Sequence, residues 1–522
     1  MSKVVQSAFV LFIATMASKV VGFLRDVCIA YVYGAGVVSD SYLMALNIMT
    51  VAFMSLLCVA IQSTYMPIFT SIEAESGKGK ALKFTSNVIN IIIIISLGIS
   101  IFGWFFTKPI VKIFAMGFEG ERLALTIQLT RIILFSVGLI CVTYVLKAYL
   151  EIHSYFFITG IMPLPYNIAI ISSVLLSKVF GVGMLAYGTV LAFLLQMLFL
   201  VPYCMKKGFK YQFIVNFKDK NVRKMALAIM PILVGASAYQ INSLVDKNLA
   251  STLVTGSMSA LNYAYKLNIF VIGLFVASIT SVIYPVFSKL GSNKEIKQLK
   301  KTYCQSINAV ILITMPIAVG AFILAEPIIR ILFERGAFDA TATAMTAQVL
   351  MCYCVGMTAC GMRDITVRVF YSLQDTKVPM RNSIFCVVFN IIFNLLLIRF
   401  LKVSGLALAS SLSAILAVLF LMFNLRKKIG RFNIQSIIRT IFKTGASALA
   451  MAIVVRIVFG FVSPFNEFIG LFVSIGSGAI VYAIMVLVLK VESTKYVIEK
   501  VNGKLNSKVS EFFEDKYQDL KE

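Results

Sequence analysis

The sequence predicts an all-α polytopic membrane protein with 14 transmembrane helices, arranged as two pseudo-symmetric six-helix lobes and two C-terminal helices. Hydrophobic residues make up 59% of the 522 residues and charged residues only 14%, whereas a soluble domain carries about 25% charged residues. Apolar runs of about 20 residues recur along the chain, without the alternation of a transmembrane β-barrel. The chain also repeats internally.

The apolar runs set the predicted spans. The first resembles a signal peptide, but it continues through Lys19 and Arg25 with no A-x-A site after it, so we interpret it as a retained span. The predicted spans are residues 4–33, 38–70, 84–107, 122–147, 156–178, 183–205, 225–250, 257–288, 302–325, 340–371, 379–400, 404–425, 440–462 and 467–490.

Basic residues in the loops predict the orientation. Loops after even-numbered spans, counted with the adjoining span ends, carry 24 Lys and Arg residues, and those after odd-numbered spans carry 10. By the positive-inside rule both termini are cytoplasmic. This asymmetry also explains most of the formal charge of +25, so nucleic acid is excluded as a partner.

The residues that usually carry chemistry are sparse. Nine cysteines lie within or beside apolar runs, none in a CxxC pair, and His153 is the single histidine. Small core hydrophobes explain such cysteines better than metal ligands do. We expect neither a cofactor nor histidine-based catalysis.

Three short echoes in the same order indicate a repeat of about 220 residues. Segments 34–48, 66–69 and 108–113 match 255–269, 284–287 and 326–331. The unit holds six spans, and an even number keeps the orientation, so the halves are parallel repeats. The predicted domains are a first lobe at 1–215, a second lobe at 216–430, spans 13–14 at 431–490 and a cytoplasmic tail at 491–522. Spans 13 and 14 either form a hydrophobic groove for a lipid tail or pad the bundle.

The stretch 18–48 carries charge where a lipid-facing helix should have none. Lys19, Arg25 and Asp26 lie in the first span and Asp40 heads the next. A charge at bilayer depth costs about 2.5–3.5 kcal/mol on insertion scales, so such residues usually face a bundle interior or a wet cavity. The alternative is a helix end, with Lys19 and Arg25 reaching the headgroup layer.

Lys266 adds a cation from the second half, about ten residues into its span. With Lys19 and Arg25 it predicts a basic chamber suited to a pyrophosphate or another anionic headgroup. Charge pairing, Lys266 with Asp246 or Arg25 with Asp26, is the alternative, and the two can coexist.

A second polar set lies in the second half. Asn390 and Asn394 are four apart on one helix face, Ser410 follows in the next span, and Asp246 lies in span 7. Their oxygens suit a hard cation such as Na⁺. Interhelical hydrogen bonding is the alternative, and the residues by themselves favour it.

Four segments resemble signature segments of the MurJ (MviN) lipid II flippase family in the MOP exporter superfamily: SKVVGFLRDVCIAYVYGAGVVSDSYLMA, TGSMSALNYAYKL, ILFERGAF and FYSLQDTKVPMRNS. The resemblance covers nearly the whole chain. It implies two lobes around a V-shaped central cavity, a groove formed by spans 13 and 14, and alternating-access export of the lipid-linked peptidoglycan precursor lipid II.

The resemblance also implies site residues. The implied substrate-binding residues are Ser18, Lys19, Arg25, Asp26, Asp40 and Lys266. Lys19 and Lys266 stand where the family usually has arginine, which keeps the charge but loses the bidentate fork. The implied Na⁺ positions are Asp246, Asn390, Asn394 and Ser410, with Asn394 replacing an acidic residue. Phe53 and Met54 replace an arginine pair of the family.

Together these observations predict a monomeric lipid flippase, not an enzyme, in the bacterial cytoplasmic membrane. Its expected partners are lipid II and membrane lipids, with coupling to Na⁺ or to the membrane potential. The first alternative is a MOP-type exporter of another polyprenyl-linked saccharide. A membrane-embedded transferase comes after it, because such an enzyme needs an acid/base set and no DxxD-type cluster is present.

Overall fold

The computed structural model describes residues 3–51 and 57–491, with the backbone alone at 3–13, 59, 231–232, 234–239 and 241. The described residues form helices and the loops between them, without a β-strand. The helices are α1 (Lys3–Tyr33), α2 (Val37–Met49), α3 (Val59–Ser76), α4 (Lys78–Phe105), α5 (Thr107–Phe114), α6 (Gly120–Ile133), α7 (Val137–Ile152), α8 (Phe156–Ile161), α9 (Pro163–Phe180), α10 (Gly183–Lys206), α11 (Lys220–Ser251), α12 (Ser257–Ser292), α13 (Ile296–Ile323), α14 (Ala325–Phe333), α15 (Ala340–Ser372), α16 (Lys377–Ile429), α17 (Ile434–Val462) and α18 (Glu467–Val488).

The all-helical membrane fold is confirmed. Helices lie on all the predicted spans, and ten helical stretches among the described residues are long and apolar enough to cross a membrane. Spans 11 and 12 form the 53-residue helix α16, which is divided at Lys402, where φ is 49° and ψ is −128°. The total of fourteen spans stays a prediction. Phe53, Met54 and most of the predicted tail lie outside the described residues.

The three repeat echoes form matching elements. Pro67 and Pro285 lie inside α3 and α12. The segments 108–113 and 326–331, which lie between predicted spans, fall in the short helices α5 and α14. The lobe boundaries at 215 and 430 stay predictions.

The chain forms two compact units. The first comprises residues 1–267, 332–349 and 383–410, and the second comprises 268–331, 350–382 and 411 onwards. Tyr65, Phe69 and Tyr149 are fully buried in the core of the first unit. Phe287 and Tyr303 are fully buried in the second unit.

Within the second unit, α17 and α18 pack closely. A Cβ built on Gly478 of α18 would lie 2.4 Å from Val455 of α17, so only glycine fits there. Phe461 and Phe472 remain exposed on these helices, as expected for a lipid-facing surface. A groove for a lipid tail at spans 13 and 14 stays a prediction.

Asp375 organises the loop between α15 and α16. Its Oδ1 accepts hydrogen bonds from the backbone N–H groups of Lys377 (3.1 Å) and Val378 (3.2 Å), and Lys428 donates to Oδ2. Desolvation acts to raise the pKa of this carboxyl. The Lys428 contact and the backbone donors outweigh it and hold the pKa below its usual range.

Candidate functional site

An ion-pair cluster joins α1 to α12 in the first compact unit. Arg25 Nη2 and Nε lie 2.8 and 3.1 Å from Asp26 Oδ1. Lys266 Nζ lies 3.4 Å from the other oxygen, Asp26 Oδ2. One carboxylate therefore bridges two cations, and the cluster keeps one net positive charge.

Helix α9 holds Arg25 in place. Arg25 Nη1 donates to Asn167 Oδ1 at 3.2 Å, and the guanidinium carbon lies 5.8 Å from the centre of the Tyr166 ring. A Cβ built on Gly22 of α1 would lie 3.5 Å from Asn167 Nδ2, so α9 packs against α1 at Gly22. The sequence analysis did not identify Asn167 or Tyr166, although an asparagine within an apolar span was the available signal.

The three charged side chains differ in exposure. Asp26 is 4% exposed, Arg25 15% and Lys266 41%. Arg25 also contacts Asn167 and Tyr166 of α9, whereas the Lys266 side chain is the most exposed of the three. Lys266 is therefore the cation that can exchange Asp26 for another anion with least rearrangement.

The structure shows which of the predicted charge pairs forms. Arg25 pairs with Asp26, as one alternative stated, and Lys266 pairs with Asp26 rather than with Asp246. A basic cluster and charge pairing thus coexist in the described residues.

Ser18 and Lys19 lie outside this cluster. Ser18 is buried and donates to the backbone carbonyls of Ala14 (3.0 Å) and Gly160 (2.9 Å). The bond to Gly160 ties α1 to the end of α8. Lys19 is exposed. Binding of substrate by either residue stays a prediction.

Asp40 caps the start of α12. Its Oδ2 accepts from Gly256 N at 2.7 Å, and its Oδ1 accepts from Ser259 N at 2.9 Å and Ser259 Oγ at 2.6 Å. Arg122 Nη1 lies 3.9 Å from Oδ2. Asp40 is 1% exposed, so its visible role is to satisfy the free N–H groups of the α12 N-terminus. Its predicted role toward substrate is untested.

Two reciprocal glycine contacts connect the repeats. A Cβ on Gly117 would lie 2.4 Å from Thr252 Cα, and one on Gly336 would lie 2.3 Å from Tyr31 O. Gly117 and Gly336 occupy equivalent turns after α5 and α14, while Tyr31 and Thr252 lie at equivalent ends of α1 and α11. We name these two contacts the glycine contacts.

The adjacent turns are equally close. Gly34, at φ +58°, has Ala337 O 2.2 Å from the place of a Cβ, and Gly256, at φ +91°, has Ala35 O at 2.5 Å. A positive φ and backbone approach together require glycine. The turns at this face therefore pack backbone against backbone.

The second polar set comes together as predicted. Asn394 Nδ2 donates to Asp246 Oδ1 at 2.6 Å and to Asn390 Oδ1 at 2.8 Å. Asn390 Nδ2 lies 3.1 Å from Ser410 Oγ, which donates to Asp246 Oδ2 at 3.2 Å. The four side chains form a closed hydrogen-bonded ring. Next to it, Lys247 donates to Asn47 Oδ1.

The ring fits a monovalent cation only after one change. In this arrangement Asn394 Nδ2 bridges the two oxygens that a cation would bridge, and the buried Asn394 Oδ1 lacks a hydrogen-bond partner. Rotating the amide by half a turn would aim Oδ1 into the ring with the carboxylate. An oxygen set of this kind suits Na⁺, but it holds one negative charge.

Comparisons with known proteins identify the family. The family model described as "Lipid II flippase MurJ" matches residues 29–476. A probable lipid II flippase MurJ of Buchnera aphidicola (subsp. Acyrthosiphon pisum) is 28% identical, over 88% of this chain and 91% of the relative. One from Haemophilus influenzae is 29% identical, over 79% of this chain and 84% of the relative.

Solved structures agree. A structure described as "Lipid II flippase MurJ, inward closed conformation" gives a TM-score of 0.78 at 27% identity, covering 91% of this chain and 98% of that one. An inward-facing multidrug resistance MATE family transporter of the MOP superfamily gives 0.62 at 16% identity, covering 80% and 98%, which shows a shared fold. The match of the family model over most of the sequence shows that the chain belongs to the lipid II flippase MurJ family.

Proposed function

We propose that this multi-pass membrane protein carries lipid II across the cytoplasmic membrane, with the anionic headgroup held by Arg25 and Lys266. Its family is one of transporters, so the transferase alternative is set aside. The observation that carries the proposal is the position of Asp26, whose single carboxylate is shared by two cations inside membrane-spanning helices and leaves one positive charge unbalanced. A pyrophosphate brings more negative charge and more acceptor oxygens than that carboxylate.

The headgroup binds by exchanging partners. Lys266, 41% exposed, leaves Asp26 and turns to the pyrophosphate, while Arg25 stays fixed by Asp26 and Asn167. The remaining charge of the cluster attracts the anion, and the Arg25–Asp26 pair keeps its geometry. Substrate thus changes the interactions between α1 and α12, the two helices that contribute the cluster.

Alternating access then needs the face formed by the turns after α1, α5, α11 and α14 to open. The glycine contacts and the Asp40 cap join the turns after α1, α5, α11 and α14, and this face must separate for release. The headgroup can shift the equilibrium only by its difference in affinity between the two states. Breaking the Lys266–Asp26 pair on binding supplies such a difference.

Coupling is a further part of the proposal. The ring of Asp246, Asn390, Asn394 and Ser410 would hold Na⁺ through its oxygens, with the Asn394 amide turned so that its oxygen faces the ring, and a bound Na⁺ would couple transport to the ion gradient and the membrane potential. Asn394 weakens the site relative to a carboxylate, because it removes one negative charge. Lys266 and the ring lie in the same compact unit, so binding at either site acts on the conformation of that unit.

The remaining features follow the sequence. We place both termini in the cytoplasm of a bacterial cell, because the basic residues concentrate in loops after even-numbered spans. The protein works as a monomer in this proposal, with lipid II and membrane lipids as its partners.

Genetic complementation tests the proposal. The chain is expressed in a bacterium whose own MurJ can be depleted, and in separate strains lacking exporters for other polyprenyl-linked saccharides. Growth restored only in the MurJ-depleted strain supports lipid II as the substrate. Rescue confined to another exporter-deficient strain would assign the alternative substrate, since that lipid also carries an anionic headgroup.

A further inference from the structure

The non-helical segment 209–217 joins α10 to α11 and is bound along α4. Asn90 Nδ2 donates to the carbonyls of Gln212 (3.2 Å) and Ile214 (2.9 Å). Asn87 Oδ1 accepts from Asn216 N at 2.7 Å, and Asn87 Nδ2 donates to Asn216 O at 3.0 Å. Both α4 asparagines are buried, so they serve the backbone of this segment rather than solvent.

Two more bonds complete the set. Ser86 Oγ accepts from Gln212 N at 3.2 Å, and Tyr211 Oη donates to Asn90 Oδ1 at 2.6 Å. A loop in water needs no such set, because water satisfies its peptide groups. Where water is scarce, peptide groups need protein partners, and Ser86, Asn87 and Asn90 on one side of α4 supply them.

The position along α4 indicates how deep the segment lies. Asn90 is twelve residues from the start of α4 at Lys78, which is about 18 Å along the axis. The predicted apolar span begins at residue 84, so Asn90 lies about 9 Å inside it. Five backbone polar groups of the segment, the N–H and C=O of Gln212 and Asn216 and the C=O of Ile214, bond to α4, as expected for non-helical backbone that lies partly outside bulk water.

The outer surface of the segment is aromatic. Phe213 is 84% exposed, Phe217 55% and Tyr211 54%. Tyrosine is enriched where the hydrocarbon meets the headgroups, and exposed phenylalanine beside basic residues is typical of segments that insert shallowly at that boundary. Five lysines lie in or beside the segment: Lys206, Lys207, Lys210, Lys218 and Lys220.

We propose that segment 209–217 is a membrane anchor that inserts its aromatic side chains into the cytoplasmic leaflet, while the neighbouring lysines bind anionic phospholipid headgroups. The asparagines of α4 fix its depth, and Asp219 then caps α11 by accepting from Asn221 N at 2.7 Å. The anchor thus ties the start of α11 to the lipid surface. This inference does not depend on the transported substrate.

Tryptophan fluorescence tests the insertion. Trp104 is the single tryptophan, so Phe213→Trp and Phe217→Trp are made separately in a Trp104→Phe chain. Asn293→Trp, in the loop between α12 and α13, is the control for a cytoplasmic loop in water. The full-length proteins are reconstituted in phosphatidylcholine vesicles with or without brominated acyl chains. Several-fold stronger quenching at 213 and 217 than at 293 is expected; equal quenching at all three positions would overturn the insertion.

Charge tests the headgroup preference. Vesicles of phosphatidylcholine are compared with equal mixtures of phosphatidylcholine and phosphatidylglycerol, with the Phe213→Trp chain as reporter. At low salt, phosphatidylglycerol should increase the quenching of the reporter tryptophan by the brominated acyl chains. Lys210→Gln, Lys218→Gln and Lys220→Gln together should remove that increase and weaken phosphatidylglycerol binding by about 100-fold. The same change at Lys289, Lys297 and Lys301 should preserve it. An unchanged response in the first triple variant would overturn the lipid preference, and neither result bears on lipid II transport.

Discussion

Lys266 and Asp26 form an ion pair between α12 and α1, with Nζ and Oδ2 3.4 Å apart. Because Asp26 also binds Arg25, one carboxylate separates two cations. Two like charges about 4 Å apart repel by about 4 kcal/mol at an effective dielectric of 20. Asp26 lies between the two cations and relieves this repulsion within the protein itself. In the proposed function, the substrate headgroup would therefore compete with an internal anion for Lys266.

Removing either cation should abolish transport. Arg25→Ala deletes the fixed contact and Lys266→Ala the exchangeable one, so each should fail to support growth in a MurJ-depleted host. Lys266→Arg should be tolerated, because it keeps the charge and adds a bidentate donor. Growth is measured at expression matched by immunoblot. Normal growth of both alanine variants would show that the cationic cluster does not bind the headgroup.

Asp26→Asn should destabilise the fold as well as stop transport. It leaves Arg25 and Lys266 without their shared anion, and breaking a buried pair costs about 3–5 kcal/mol. Adding Lys266→Gln to Asp26→Asn removes one of the two cations and should recover part of the melting temperature. Thermal unfolding in detergent measures both variants, and a double variant less stable than the single one would contradict the bridging role.

Asp40→Ala should lower stability by about 1–2 kcal/mol, because it leaves N–H groups of α12 without an acceptor. Ser259→Ala removes one hydroxyl donor and keeps both backbone bonds, so it should cost less. The two melting temperatures give the comparison. Asp40→Asn separates capping from substrate binding: a variant of normal stability that fails in complementation would establish a direct role of Asp40 toward substrate.

Gly117→Ala should force apart the turn after α5 and the end of α11. The added Cβ would lie 2.4 Å from Thr252 Cα and 2.6 Å from Ser251 O. Gly98→Ala in α4 is the matched control, since a Cβ there meets nothing within 4 Å and alanine favours a helix. Complementation and melting temperature should fall for Gly117→Ala and hold for Gly98→Ala. Equal behaviour of the two variants would exclude a role for the glycine contacts.

Asn394→Asp should increase the response to Na⁺. A second carboxylate beside Asp246 removes the amide donor that now fills the ring and adds a negative oxygen ligand. The shift in melting temperature between NaCl and choline chloride at equal ionic strength should therefore be larger in the variant than in the original chain. Identical shifts would argue against cation binding at this ring.

The fold was largely predictable because its signals are local. Span length and hydropathy set the helices, and the repeat echoes placed equivalent turns. Gly34 shows where local signals stop being informative. Its segment was recognised as part of the repeat, but the glycine is required by the backbone of Ala337, which comes from a distant segment. The short helices α5 and α14 were missed because each is too short for an apolar span.

The residues of the site were predictable from the sequence, but their ion-pair partners were less so. Charge inside apolar spans identified Arg25, Asp26 and Lys266, because the membrane makes such residues costly. Spacing could not show that Lys266 pairs with Asp26 instead of Asp246, since that depends on the packing of α12 against α1. Asp40 was likewise visible as a charge, but its role as the cap of another helix required the three-dimensional structure.

The most direct test measures lipid II at the outer surface. Cells depleted of their own MurJ and expressing this chain are treated from outside with an enzyme that cleaves lipid II at its pyrophosphate, and the cleaved fraction is quantified. We expect the chain to restore cleavage to the level of undepleted cells and Arg25→Ala at equal abundance to leave it at the depleted level. Lipid II that stays protected despite normal expression of the unaltered chain would contradict the account.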